Sequence, residues 1–218
     1  MMKAQWIVLI VLGAVAVIGA AAFFLLRKGP DLSSYLPLKE PRISRMEDER
    51  VLEVKFSGQA DTVIQKAYAA LFKAYYGLRG VPKGPGMRPP KARYQVPASD
   101  DPAAAEKLGS FLAHDWTGSV AVPIPAGVAV PARKPDAEGM AAAEGMWAYG
   151  EVAEILHLGS YETEPPTIDR LMKYIEARGY RIVGDHEEEY LKGPGMGRVD
   201  PKDYWTIIRY RVTSSRTS

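Results

Sequence analysis

The sequence predicts an α+β fold: two pseudo-symmetric βαββ modules, antiparallel in their sheets, behind one N-terminal transmembrane helix. Three observations lead there. Trp6 to Leu26 is an uncharged apolar run. The order strand, helix, strand, strand then occurs twice. Within it the apolar residues alternate at period two in the strands and recur at three- and four-residue spacing in the helices.

The run WIVLIVLGAVAVIGAAAFFLL has the length of an α-helix that crosses the hydrocarbon core of a bilayer. A cleaved secretory signal is the alternative, since Lys3 precedes the run and Ala20 to Ala22 supply small residues near its end. The continuation through Phe23 to Leu26 favours an anchor over residues 1–28. Arg27, Lys28, Lys39, Arg42 and Arg45 follow the run and only Lys3 precedes it, so the positive-inside rule puts the body in the cytoplasm. Gly29 to Arg45 mixes Pro, Ser and charge without a sustained period and reads as a linker over residues 29–45. The binding domain is then expected over 46–213, with a disordered tail at 214–218.

Leu52, Val54 and Phe56 alternate with Glu53 and Lys55 as in a half-buried strand. From Asp61, a plausible N-cap, Val63, Ile64, Ala67, Tyr68, Leu71, Phe72 and Tyr75 make a helical stripe that Gly77 ends. Arg93 to Val96 and Ser119 to Ile124 complete the first module as strands. In the second, Met146 to Leu158 reads as one long strand. Pro165 and Pro166 suit the first turn of a helix carrying Ile168, Leu171, Met172 and Ile175, and Gly179 stops it. Tyr180 to Leu191 and Tyr204 to Val212 are the last two strands. Asp101 to His114 is a helix-prone insertion and Pro135 to Gly145 an Ala/Gly/Met-rich connection. The two GPGM strings, Gly84 to Met87 and Gly193 to Met196, differ in their place relative to the strands and read as independent turns, outside any phosphate-cradling context.

Composition excludes several kinds of chemistry. Of 28 basic residues, Lys3, Arg27 and Lys28 belong to the anchor, which leaves 25 against 26 acidic ones and no basic surface for nucleic acid. With no cysteine there is no disulfide, thiolate ligand or thiol nucleophile. His114, His157 and His186 are too far apart in sequence for a zinc motif, and no G-x-S-x-G elbow is present. Neither a metal nor a cofactor is expected.

Val152 to Glu162, VAEILHLGSYE, resembles the strand and turn of GyrI-like effector-binding domains, with His157, Gly159 and Tyr161 at the family's histidine, glycine and tyrosine positions. The helix after it, Arg178 to Gly184, the string Glu188-Glu189-Tyr190-Leu191 with Gly193-Pro194, and Trp205 to Val212 follow the same pattern in order. The resemblance is good over Gly145 to Val212 and looser over Arg50 to Ala126. It implies two βαββ modules, a fold also seen in SOUL-like proteins, with a cleft that binds small cationic or aromatic molecules near an acidic residue. Some members hydrolyse strained electrophiles, and membrane-tethered relatives exist. A SOUL-type haem site would use His157.

Alternation along Asp185-His186-Glu187-Glu188-Glu189-Tyr190 puts His186, Glu188 and Tyr190 on one strand face and Asp185, Glu187 and Glu189 on the other. The family's E-x-Y pattern falls on Glu188 and Tyr190, which assigns these two to the cleft and leaves Glu187 and Glu189 as solvated charges. Tyr68, Trp147, Tyr149, Tyr161 and Trp205 join Glu188 and Tyr190 as candidate ligand-binding residues, with Trp116 and Tyr204 as further aromatics of the same cleft. A carboxylate among rings attracts a cation, and the rings add cation–π attraction. Three functions follow: a membrane-tethered domain that binds a small apolar or cationic-aromatic molecule, a hydrolase with Glu188 as its catalytic acid or base, or an adaptor that recruits a protein partner to the membrane.

Overall fold

The computed structural model describes residues 31–95, 115–137, 139–194 and 199–215. The anchor expected at Trp6 to Leu26, the insertion at Asp101 to His114 and the end of the tail lie outside the described residues. Among those described, no helix is long and apolar enough to cross a membrane. The chain divides into two units, Met1–Ser34 and Tyr35–Ser218. In the first, the backbone N–H of Ser33 donates to Asp31 Oδ1 at 2.9 Å. The second is a mixed α+β unit with a large antiparallel sheet.

Its strands are β1 (Arg42–Met46), β2 (Glu49–Gln59), β3 (Lys91–Tyr94), β4 (Asp115–Pro123), β5 (Ala142–Trp147), β6 (Gly150–Leu158), β7 (Tyr180–Ile182), β8 (His186–Lys192) and β9 (Trp205–Ser214). Its α-helices among the described residues are α1 (Ala60–Tyr76) and α2 (Pro165–Ala177). Helix α1 has Gln59 rather than the expected Asp61 at its N-cap position, with no side-chain cap bond, and ends at Gly77. Its Val63, Ala67, Leu71 and Tyr75 pack on Leu52, Val54 and Phe56 of β2 and on Val120 and Val122 of β4. Helix α2 opens on Pro165 and Pro166, where a missing N–H costs nothing, and ends before Gly179 at φ 73°. It buries Ile168, Leu171 and Ile175 against Ile155, Ile208 and Tyr210, each aliphatic side chain contributing about 1.5–3 kcal/mol.

Three expectations about the strands change. The stretch read as a linker carries a 3-10 turn, Ser33–Lys39, and all but the last residue of β1. Met146 to Leu158 is two strands, because Ala148 and Tyr149 break the ladder before Gly150 turns at φ 79°. Tyr180 to Leu191 is likewise two: β7 pairs with the far end of β9, Tyr180 opposite Ser214, while β8 pairs with both β9 and β3.

The strand order β1-β6-β9-β8-β3-β4-β2-β5 is antiparallel throughout. Its two ends meet. Arg42↔Glu154 through Met46↔Gly150 and Glu49↔Trp147 through Val54↔Ala142 keep one register across the two-residue break. Arg42–Val54 therefore runs as a single ladder against Ala142–Glu154. Because β2 also pairs with β4 and β6 with β9, the sheet closes on itself as a barrel. The helices cover its outer face. Val51, Ala121, Trp147, Tyr149 and Val152 form a separate cluster on the inner face, with no helix residue among them.

Candidate functional site

Strand β8 holds the chemistry, and it is buried on both faces. His186, Glu187, Glu188, Glu189 and Tyr190 are each no more than 8% exposed. The expected alternation is present: Tyr94 on β3 faces His186 and Ala92 faces Glu188, whereas Arg93 faces Glu187 and Lys91 faces Glu189.

On the outer face, beneath the helices, Glu188 is fixed by its strand neighbours. His186 Nε2 donates to Glu188 Oε1 at 2.9 Å and the Tyr190 hydroxyl donates to Oε2 at 2.5 Å. A carboxylate only accepts, so Nε2 carries a proton, and Nδ1 meets the Tyr210 hydroxyl at 2.7 Å. Tyr94 and Tyr190 share a hydroxyl contact at 2.8 Å. The rings of Tyr68 from α1 and Tyr161 from the turn before α2 stand edge-on to the Tyr190 ring, with centroids 6.2 and 6.0 Å away. Burial first, and the Glu188 charge second, push the Tyr68, Tyr94 and Tyr190 hydroxyls well above their ordinary range, so all three keep their protons.

A second carboxyl sits at the same place. Glu164, the N-cap of α2, is 6% exposed, and burial together with the Glu188 charge raises it to about 10. One end of the tyrosine cluster thus holds two buried carboxyls, and Glu164 is raised far enough to keep its proton. His157 belongs to the scaffold. Its Nδ1 meets the Thr167 hydroxyl at 2.9 Å and its Nε2 the Ser160 carbonyl at 3.1 Å, which ties the turn to α2. Burial lowers its basicity, and both ring nitrogens are engaged, so neither is open to a haem iron.

The inner face carries a network of paired charges. Arg209 of β9, 3% exposed, donates to Glu154 Oε2 at 2.9 Å, Glu187 Oε1 at 2.6 Å and Glu189 Oε2 at 3.2 Å. Lys91 bonds Glu49 at 2.5 Å and the Tyr149 hydroxyl at 3.1 Å. Arg93 bonds Glu187 at 2.8 Å and lies over the Trp147 and Tyr149 rings at 4.1 and 4.8 Å. Desolvation raises Glu187, yet Arg209, Arg93 and Lys91 outweigh it and hold the carboxyl below its usual range; Glu154 is held down in the same way, chiefly by Arg209. A cavity of about 250 Å³ opens beside this network, between Arg93, Tyr149, Glu187, Arg209 and Arg211. Among the described residues no cluster of His, Asp and Glu side chains is placed to hold a metal ion.

No protein-family model matches the sequence, and no curated relative does. Solved structures do match. A conserved protein from Listeria innocua is 20% identical and superposes with a TM-score of 0.64 over 84% of this chain and 97% of its own. A hydrolase from Listeria innocua is 18% identical, with a TM-score of 0.60 over 84% and 96%. The C-terminal domain of EcmrR is 12% identical, with a TM-score of 0.57 over 80% and 98%. What they share with this chain is the fold.

The structure brings together Glu188, Tyr190, Tyr161 and Tyr68 of the expected site, with Tyr204 beside Tyr161 at 5.5 Å and Trp116 beside Tyr94 at 5.1 Å. It separates the rest. Tyr149 and Trp147 belong to the inner face, where they cover Arg93, because they follow a register that points them into the closed sheet. Trp205 begins β9 opposite Leu158, on the face away from Thr206 and Tyr190. Glu187 and Glu189 are not solvated charges: closure of the sheet buries them, and Arg209 pairs with both. Sequence reasoning missed Glu164, Tyr94, Tyr210 and the cations Lys91, Arg93 and Arg209. The available signals were Lys91-x-Arg93 alternating like Glu187-x-Glu189, and Arg209 standing between Ile208 and Tyr210 in the last strand.

Proposed function

We propose that this chain is a GyrI-like domain that binds a small cationic-aromatic molecule in the tyrosine cluster around Glu188. One observation carries the reading: a carboxylate 8% exposed, fixed by two hydrogen bonds and flanked by the rings of Tyr68, Tyr161 and Tyr190. A fixed negative charge among ring faces favours a flat cation over a neutral molecule, and the partial exclusion of water strengthens that preference. The stretches β2-α1-β3-β4 and β6-α2-β8-β9 are read as two related modules joined along β3 and β8. The cluster sits at that junction, with Tyr68 and Tyr94 from one side and Glu188, Tyr190 and Tyr161 from the other. Trp6 to Leu26 is read as its membrane anchor, with the domain on the cytoplasmic side.

Titration with a fluorescent lipophilic cation tests the site. Glu188→Gln keeps the shape and removes the charge, so binding weakens by roughly 1.5–3 kcal/mol, the range for a hydrogen bond to a charged group. Asp185→Asn, an exposed change on the approach to the same strand, leaves it unaltered. Equal binding by both variants and the parent chain sinks the assignment. For the anchor, the full-length chain is expected to stay in membranes through alkaline carbonate extraction, and a fusion at Ser218 to report the cytoplasm.

A hydrolase is the second reading, favoured by the neutral Glu164 acid beside the Glu188–Tyr190 pair, an arrangement with an acid and a base at one place. Under it, Glu188→Gln abolishes consumption of a strained electrophile such as an epoxide while binding persists.

A further inference from the structure

Three buried side-chain oxygens have no hydrogen-bond partner among the described residues: Tyr68 Oη, Glu164 Oε1 and Thr206 Oγ1. They belong to three different elements, yet all flank the Glu188–Tyr190 pair. Thr206 lies opposite Tyr190 on β8 and His157 on β6. The Tyr68 ring is 6.2 Å from that of Tyr190. Glu164 closes the turn begun by Tyr161, donating its backbone N–H to the Tyr161 carbonyl at 3.1 Å, and the Tyr161 ring is 6.0 Å from that of Tyr190. Glu188, in contrast, already accepts a hydrogen bond on each of its oxygens.

Buried polar atoms are seldom left unsatisfied, and three around one carboxylate mark the place of something that donates. All three can accept a hydrogen bond. Water offers two donors, whereas a primary ammonium offers three and needs no donor in return. Resting on the reading of the cluster as a cationic-aromatic site, we propose that its ligand is a primary aromatic ammonium, whose three N–H groups are accepted by Glu164, Tyr68 and Thr206 while Glu188 supplies the fixed charge behind them. The Glu164 proton passes to solvent when the ammonium arrives, which leaves a carboxylate against the cation. A quaternary cation of the same ring has the charge and the π contacts but nothing to donate.

The test uses the full-length chain and isothermal titration with 1-naphthylmethylammonium and its N,N,N-trimethyl analogue, which share ring and charge. The parent chain is expected to bind the primary ammonium at least about tenfold more tightly. Tyr68→Phe and Thr206→Val each reduce that preference, read as the ratio of the two affinities, severalfold. Both variants remove an unsatisfied hydroxyl without changing shape, so both are expected to fold. Equal affinity of the parent chain for the two probes means ordered water alone fills the position, and overturns this inference while the cationic-aromatic reading stands. A preference that survives in both variants overturns it too. Failure of both probes to bind overturns the inference and the reading beneath it.

Discussion

Arg209→Met removes the cation at the centre of the inner face and keeps most of its volume. Arg209 faces three carboxylates at 2.6–3.2 Å, and all four side chains are 10% exposed or less. With an effective dielectric constant of about 20, each contact is worth roughly 5 kcal/mol of gross attraction. Desolvation of the ions offsets much of that, so an intact network adds little net stability, but a broken one leaves Glu154, Glu187 and Glu189 buried without their shared cation. Loss of one partner from such a group costs about 3–5 kcal/mol. Urea unfolding followed by tryptophan fluorescence reads the change as a fall of roughly 1.5–2.5 M in midpoint, for a denaturant slope of about 2 kcal/mol per molar. Adding Glu154→Gln and Glu187→Gln to Arg209→Met is expected to recover part of the loss, because the stranded charge is gone. The acid limb gives an independent check. Glu154 and Glu187 are held below their unfolded values, so their stabilisation is present above about pH 4.5 and fades as pH falls through the folded values; Arg209→Met flattens that limb. A cost under about 1 kcal/mol, or no recovery in the triple variant, would refute the account of the inner face.

Glu164 gives the opposite slope: its carboxyl is raised to about 10, so its contribution is complete below the unfolded value near 4.5 and is lost as pH climbs towards 10. Glu164→Gln should therefore raise the urea midpoint at pH 8, with the gain shrinking towards pH 4; its neighbours in that field are Glu188, Tyr161 and Tyr210, with Tyr68, Tyr190, His157 and His186 around Glu188. Gly118→Ala would drive a methyl group into the Arg93 carbonyl and to 2.9 Å from the Phe56 ring, so loss of more than about 3 kcal/mol is expected in the same assay. Residues 145–218 expressed alone should show no cooperative thermal transition, since β6 would lack β1 and β8 would lack β3.

Periods within one element were legible because they depend only on neighbouring residues. The stripes of α1 and α2 and the alternation along β8 appear in the structure as the residues announce them. Closure of the sheet was not legible. It depends on Arg42–Val54 finding Ala142–Glu154, about a hundred residues on, and without it the inner face of β8 looks like a surface. That is why Glu187 and Glu189 read as solvated and why Tyr149 and Trp147 read as lining the same cleft as Glu188. Glu164 escaped for a local reason: a carboxyl just before Pro165-Pro166 has the signature of an exposed helix cap, whereas in the fold its turn packs on Tyr190 and Glu164 is buried.

The ladder that closes the sheet also sets an order of events during synthesis. Arg42 meets Glu154 across 112 residues, so β1 has no partner until β6 has been made. While it waits it is an unpaired edge, the kind of segment that recruits other chains. Its sequence, Arg-Ile-Ser-Arg-Met, sets a cation at each of two positions among its apolar residues, and Arg42 later becomes a partner of Glu154. The same arginine that places a charge on the nascent edge thus helps to fasten the finished barrel. Contacts of such long range also make the final closure slow relative to formation of either helix.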